Sequence, residues 1–520
     1  MHDIVVVSDL HLGRGKNPES GRYHQLEAFF FDDDFERFCA WLCEQARDRK
    51  TALTLVLNGD TFDLLRIDPE PVGPGASMSE RRYGPLMNPE RAAETVGDIL
   101  AGHERFADGL ARVLMAGHEI VVLPGNHDSE MQWPLVQEAV AAALVERMGG
   151  LGAQPRAAQA AIEGLRFTPW FYYEPGRVWI EHGCQYDPDN ACRYPLRTAL
   201  GDRSDAVALT EPDLPLGSFF QRYLYNAFGN ITFIVPNSRS NVRYFRWLLF
   251  NQPRLLARVT YSHAPFFFQV LRRIAKAATS TAELRGMHEH ALDQLAAASG
   301  LDDRLRGIDN LKNVRGSAAA VTRDLLVEIG KSALWTLTIA FLGAGLWFAG
   351  FHAITGMQSG FGFKSILFLL LNFVFLTGSL LGLGWWLLRV PEAPATRPLR
   401  RTACDIAELA GVPLVVFGHS HEEVIQRIGG PPERPSWYFN TGTWIAVFAP
   451  DELVPRERVQ YTFLRIRGHD AELLHWSPGR HEAVPVVLLE DNSPRALDRP
   501  ALAPPAPAAS TSRQVRDDAL

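Results

Sequence analysis

Soft metal ligands and disulfide partners are scarce in this sequence. Its 520 residues include five cysteines, Cys39, Cys43, Cys184, Cys192 and Cys404. An odd and sparse set excludes a disulfide framework and fits a reducing compartment. Cys39 and Cys43 stand one helical turn apart and read as packing residues. Cys184 and Cys192 flank a loop of chemical interest and read as buried bystanders before they read as ligands. An excess of positive charge is also missing. Lys and Arg number 52 against 59 Asp and Glu, a net charge of −7, which argues against a dedicated nucleic-acid binder. No internal repeat is found. No basic region and long apolar stretch precede the first strand, since Met1-His2-Asp3 leads straight into Ile4, so no signal peptide is expected and the catalytic part is expected in the cytoplasm.

Two further absences are local. Between Leu216 and Ala282 there is no acidic residue, while nine cations, from Arg222 to Lys276, are interleaved with Phe219, Tyr223, Tyr244, Trp247 and Phe266 to Phe268. Basic residues among large aromatics suit an anionic membrane surface. Plain helical packing and a nucleic-acid groove are the alternatives. Charge of either sign is missing from Ala333 to Phe351 and from Ile366 to Leu388. At a helical rise of about 1.5 Å per residue, each run is long enough to cross the hydrocarbon core. Trp335, Trp347, Trp385 and Trp386 lie near the ends, and Gly343, Gly345, Gly378, Gly382 and Gly384 would let two helices approach closely. The link His352–Ser365 has Lys364 as its only Lys or Arg, whereas Lys331, Arg389, Arg397, Arg400 and Arg401 lie outside the hairpin. The bias places both ends on the cytoplasmic side. The expectation is two transmembrane helices in the cell membrane and a cytoplasmic enzyme.

What is present is a recurring design. Ile4 to Val7 run into Ser8-Asp9-Leu10-His11. Leu53 to Leu57 run into Asn58-Gly59-Asp60-Thr61-Phe62-Asp63, and Val121 to Leu123 into Pro124-Gly125-Asn126-His127-Asp128. Val178 to Ile180 run into Glu181-His182-Gly183, and Val412 to Phe417 into Gly418-His419-Ser420-His421. Buried strands that end at once in His, Asp or Asn place working residues at the carboxyl ends of strands in α/β sheets. Asp9, His11, Asp60, Asn126, His182, His419 and His421 offer too many donors for one ion and about the right number for two. Asp60 is the natural bridge, because a carboxylate has lone pairs for two cations. The mixed N/O set favours Mn²⁺ first, with Fe²⁺ or Zn²⁺ as alternatives. His127 offers a proton near neutral pH, and Asp128 could hold its imidazole in one tautomer.

The spacing predicts helices over 26–48, 90–116 (capped at Asn88), 133–148 and 402–410, and a loop over 68–89. Residues 163–182 read as antiparallel strands turning at Glu174-Pro175-Gly176. Residues 457–467 and 471–476 read as strands that close a second sheet.

Asp-x-His at 9–11, Gly-Asp at 59–60, Gly-Asn-His-Asp at 125–128, His-Gly at 182–183 and Gly-His-x-His at 418–421 resemble the motifs of the calcineurin-like metallophosphoesterases. The resemblance covers about 1–195 and 410–476. It implies an α/β fold, a two-sheet sandwich flanked by helices with two metals at its rim. It further implies Asp9, His11, Asp60 and His421 around one metal and Asp60, Asn126, His182 and His419 around the other. His127 would contact phosphate and protonate the leaving group, with Asp128 behind it. Within the family, Ser8 to Leu12, Asn58 to Asp63 and Asn440-Thr441-Gly442-Thr443-Trp444 are similar to the UDP-2,3-diacylglucosamine hydrolase branch.

The expected organisation is a phosphoesterase domain in two parts, 1–195 and 391–490. Between them lie a basic aromatic helical insert at 196–330 and a transmembrane hairpin at 331–390. A Pro- and Ala-rich disordered tail follows at 491–520. The expected function is a membrane-anchored, dinuclear-metal phosphohydrolase acting on a phosphorylated or nucleotide-linked lipid, with an anionic membrane surface as partner. The rival readings are a soluble-substrate phosphodiesterase or nuclease, and a non-catalytic scaffold on the same fold.

Overall fold

Strand β1, Asp3–Val7, shows how the chain builds its layers. Ile4 and Val6 enter one apolar cluster, while Val5 and Val7 enter another on the opposite face. The period of two sends alternate side chains to opposite faces. A strand covered on both sides therefore reads as an unbroken apolar run. β2 (Leu53–Asn58) and β3 (Glu119–Leu123) follow the same rule: Leu55, Leu57, Ile120 and Val122 face one core, and Val56, Val121 and Leu123 the other. The computed structural model describes residues 2–17, 20–67, 87–196, 214–223, 226, 253–259, 261–262, 281–314, 338, 341–388, 396–445 and 461–486. Residues 68–86 of the loop expected at 68–89, most of the basic aromatic stretch and the tail from 487 lie outside these residues.

Two mixed sheets pack face to face. The remaining strands are β4 (Leu165–Phe167), β5 (Phe171–Glu174), β6 (Val178–Glu181), β7 (Leu414–Phe417), β8 (Glu423–Gly429), β9 (Ser436–Thr441), β10 (Thr462–Arg467), β11 (Asp470–Ser477) and β12 (Glu482–Pro485). The first sheet has the order β12-β11-β10-β1-β2-β3-β4 and the second β5-β6-β7-β9-β8. β1 to β4 are mutually parallel, as are β6, β7 and β9. Ile4, Val6, Val121, Ile180, Val416 and Leu464 fill the space between the sheets. Outside the first sheet lie α1 (Asp32–Arg49), α2 (Pro89–Gly102), α3 (Glu104–Met115) and α4 (Pro134–Gly150). α5 is the short helix Leu216–Tyr223. Outside the second sheet, α6 (Thr281–Ser299), α7 (Asp303–Asp309) and α10 (Thr396–Ala410) share one core: Leu292, Leu305 and Ile406 meet Trp179 and Phe417.

Three local expectations are corrected. The strands near 457–476 do not close a second sheet. β10 pairs antiparallel with β1, setting Ile4 against Ile466, and covers the open edge of the first sheet. The first helix starts at Asp32 and not at 26. Buried Glu27 accepts hydrogen bonds from the backbone N–H of Gly13, Gly15, Ala28 and Phe29, which ties up these groups outside a helix. Asp32, Asp33 and Asp34 then open the helix, where negative charge suits its positive end. The helix over 90–116 is two helices broken at His103. That buried imidazole bridges Asp32 and Glu27 at 2.8 and 3.2 Å. The Asn88 cap is present, its side chain accepting from Arg91 N–H at 2.8 Å.

The apolar runs form an antiparallel helix pair, α8 (Phe341–Gly356) and α9 (Phe361–Leu388). Trp347 Nε1 donates to Asn372 Oδ1 at 3.2 Å, and a Cβ at Gly350 would press on Leu371 at 2.8 Å. Gly343 faces Phe375, whereas Gly345, Gly378 and Gly382 have open space around them. Phe341, Phe361 and Leu369 are 81, 87 and 70% exposed. Among the described residues one stretch, Phe361–Ser379, is long and apolar enough to cross a membrane, and Phe341–Gly356 is shorter. Most of residues 333–340, the start of the first expected span, lie outside the described residues.

Candidate metal centre

The parallel strands of both sheets deliver their following loops to one place. Five of the side chains gathered there sit on backbone with positive φ: Asp9 (56°), His11 (51°), Asp60 (49°), His419 (67°) and His421 (57°). L-residues rarely adopt this conformation, and each instance costs on the order of 1 kcal/mol or more. Such strain persists where the surroundings fix it. Two glycines show how tight they are. A Cβ on Gly125 would lie 2.1 Å from Asp60 Oδ1, and one on Gly59 would lie 2.5 Å from His182 Cγ.

Asp9, His11, Asp60, Asn126, His182, His419 and His421 are all buried. Asp9, His11 and His421 form one group whose ligand atoms lie within 4.8 Å of one another, and Asp60, His182 and His419 form another. His11 Nε2 faces His421 Nε2 at 3.0 Å, and His421 Nε2 lies 3.1 Å from Asp9 Oδ1. Asp60 Oδ2 stands 3.8 Å from His11 Nε2 and 3.2 Å from His182 Nε2, between the two groups. Against burial, the imidazoles of His182, His127 and His11 hold the Asp60 carboxyl well below its usual range.

The donor set passes a direct test for a cation. Asp60 Oδ2, Asn126 Oδ1, His182 Nε2 and His419 Nδ1 are buried atoms without a hydrogen-bond partner. The His182–Asp60 contact is close but not aligned as a hydrogen bond. An unsatisfied buried polar atom costs about 1–3 kcal/mol, so four of them are costly without a partner. A divalent ion would satisfy all four, and the residues present fit one.

The rear of each imidazole is held. His182 Nδ1 contacts the Asn58 carbonyl at 2.9 Å, His11 Nδ1 contacts Asp63 Oδ2 at 3.3 Å, and His419 Nε2 contacts Asp187 Oδ2 at 2.9 Å. Partners of this kind fix the tautomer of a ligating ring. Asp187 had no sequence signal, because the loop that carries it has no period. Asp63 was visible only as part of a motif. Cys184 is buried with its thiol pKa pushed well up by burial, and the candidate metal groups among the described residues contain only His and Asp.

The expectation for Asp128 is corrected. It does not stand behind His127. Its carboxylate accepts from the backbone N–H of Asp60, Thr61, Phe62 and Gly125 and so ties the β2 and β3 loops together. Asp63 takes the expected place, with Oδ1 2.9 Å from His127 Nδ1. Burial disfavours the charged imidazole, but Asp63 and Asp60 outweigh it and raise the His127 pKa to about 9. The His127 ring meets the His11 ring edge-on at 4.6 Å. The Asn440–Trp444 motif is a brace: Asn440 Nδ2 donates to the Gly418 carbonyl at 2.5 Å and Thr443 Oγ1 to the Asp9 carbonyl at 2.6 Å. Glu181 is a buried carboxyl that sequence reasoning missed. Burial pushes its pKa up to about 7 against hydrogen bonds from Trp179, Tyr186 and Trp170.

Two mixed sheets with a His/Asp cluster at their carboxyl ends are the framework of a metal-dependent hydrolase acting on phosphoester bonds. Residues 2–267 match the family model of the calcineurin-like phosphoesterases, and the chain belongs to that family. A search of curated proteins found no match.

Proposed function

We propose that this protein is a membrane-anchored phosphohydrolase with two divalent metals and a cytoplasmic site, cleaving a phosphoester or pyrophosphate bond in a phosphorylated or nucleotide-linked lipid. The observation that carries the metal reading is the set of four unpartnered buried atoms on Asp60, Asn126, His182 and His419. These residues would hold one ion, and Asp9, His11, Asp60 and His421 the other. Mn²⁺ suits this N/O set first, then Fe²⁺ or Zn²⁺. Ions held there supply Lewis-acid stabilisation of phosphoryl oxygens and lower the pKa of water.

The chain's own groups do the rest. Asp63 on Nδ1 leaves His127 Nε2 for the leaving-group oxygen, so His127 carries the proton at that atom. Asp128 keeps the β2 and β3 loops in register around it. The exposed apolar faces of α8 and α9 support the anchor, and an anchor favours a substrate within the bilayer surface. The UDP-2,3-diacylglucosamine hydrolase branch is the nearest guide to such a substrate, although it has Arg where this chain has His127. The test is hydrolysis of bis(p-nitrophenyl) phosphate by the full chain purified without chelator. Activity should vanish in EDTA and return best with Mn²⁺. Full activity with no bound transition metal would overturn the reading.

A further inference from the structure

The brace behind His419 is held from outside the two sheets. His182 is backed by the Asn58 carbonyl at the end of β2, and His11 by Asp63 in the loop that follows β2. His419 is backed by Asp187, whose Oδ2 lies 2.9 Å from Nε2. Asp187 belongs to the loop after β6. Bonds within that loop shape it: Asp187 Oδ2 accepts from Asn190 Nδ2 at 2.7 Å, Asp187 Oδ1 from the Asp189 N–H at 3.0 Å, and Gln185 Oε1 from the Cys192 N–H at 3.0 Å.

Contacts from α6 and α7 help to place it. On one side of Asp187, the Gln185 carbonyl accepts from the N–H of Asn313, just past α7, at 2.9 Å. On the other side, the Leu196 N–H donates to Nδ1 of His288, on α6, at 3.3 Å. Tyr186 and Leu196 also share an apolar core with Leu292, Leu301, Leu305 and Ile308. Because His288 Nδ1 accepts a hydrogen bond, the ring hydrogen sits on Nε2, toward Asp309 Oδ2 at 3.3 Å. The Lys312 ammonium lies beside both, 3.1 Å from Nε2 and 2.5 Å from Asp309 Oδ1. His288 is therefore a buried ring with both nitrogens engaged, which fixes its orientation. It fastens one end of the loop whose middle carries the His419 brace.

We propose that His288 is a positioning residue for the metal centre: through Leu196 it fixes the loop that carries Asp187, and so sets how tightly His419 holds its ion. This rests on the metal reading above. It makes loading of the second ion depend on helices inserted between the two parts of the catalytic fold.

The test equilibrates the full chain, stripped of metal, at buffered free Mn²⁺ and counts ions per chain by mass spectrometry. Asp187→Ala removes the brace itself and should raise the free Mn²⁺ needed for two ions per chain by about 10- to 100-fold. His288→Ala, one contact further out, should raise it at least about threefold. In the Asp187→Ala background the same change should add less than about twofold, because both act through one contact. The conservative variants separate the two bonds of the ring. Asn places an oxygen near the position of Nδ1 and can still accept from Leu196, so His288→Asn should load within about twofold of wild type. Gln reaches toward Asp309 instead, so His288→Gln should load as poorly as His288→Ala. An unchanged requirement in folded His288→Ala, a rise as large in the Asp187→Ala background, or equal loading of the Asn and Gln variants overturns the proposal. Should His288→Ala fail to fold, the Asn and Gln pair decides. A wild type that binds no Mn²⁺ would sink the metal reading first.

Discussion

Replacing Asp63 by Asn keeps its shape and removes one acceptor from a carboxylate that braces two rings, His127 at 2.9 Å and His11 at 3.3 Å. An amide offers one oxygen and one NH₂, so it can accept from one imidazole N–H but presents donors to the other. Loss of such a partner behind a ligating His costs about 10- to 100-fold in metal affinity, or roughly 1.4–2.7 kcal/mol. Misplacing the proton donor costs about 10²–10⁴ in turnover. We therefore expect Asp63→Asn to weaken metal binding modestly and to lower kcat strongly even at saturating Mn²⁺. The assay is a Mn²⁺ titration with parallel kinetics on substrates of good and poor leaving group, and the loss should be larger for the poor one. Asp128→Asn is the contrast. It weakens the acceptor of four backbone N–H groups, so it should lower the melting temperature before it changes the rate on folded protein. An Asp63→Asn enzyme with wild-type metal affinity and equal losses of rate on both substrates would refute this division of roles.

Other outcomes follow from the same geometry. Gly125→Ala should abolish metal binding and turnover together, as measured by metal analysis and kinetics, because its Cβ would lie 2.1 Å from Asp60 Oδ1. Burial opposes charge on His103, but Asp32 and Glu27 hold its pKa up at about 9. The bridge stabilises fully below the unfolded pKa of about 6.5 and fades as pH rises through about 9, an effect on the order of 3 kcal/mol. Urea midpoints should fall over that window in wild type and stay flatter in His103→Gln. A variant joining residue 330 to residue 392 by a short flexible linker should lose resistance to carbonate extraction yet keep metal binding and hydrolysis of soluble esters. Its unfolding would show that α8 and α9 are core helices.

The site was legible in the sequence to the extent that strands impose it. A strand buried on both faces must be apolar until it ends, so the polar residues after Val7, Leu57, Leu123, Ile180 and Phe417 stand out. The groups behind the ligands were not legible, since they are chosen in three dimensions. Asp128 adjoins His127 in the chain, yet the turn sends its carboxylate to backbone N–H groups and leaves the imidazole to Asp63. Sheet membership was hidden for a similar reason. The alternation in β10 fixes which residues are buried but not which edge they cover. β8 was missed because an edge strand is half-covered, and Glu423, Gln426 and Arg427 break its apolar pattern. The helix break at His103 depends on Glu27 and Asp32, which only the fold brings close.

The central claim is that two divalent ions are held by these loops, and the most direct measurement is metal content by mass spectrometry on the full chain and on Asn126→Ala/His182→Ala. The account predicts about two ions per wild-type chain and about one in the double variant. Wild type with none and full activity, or a double variant that keeps both ions, would contradict it.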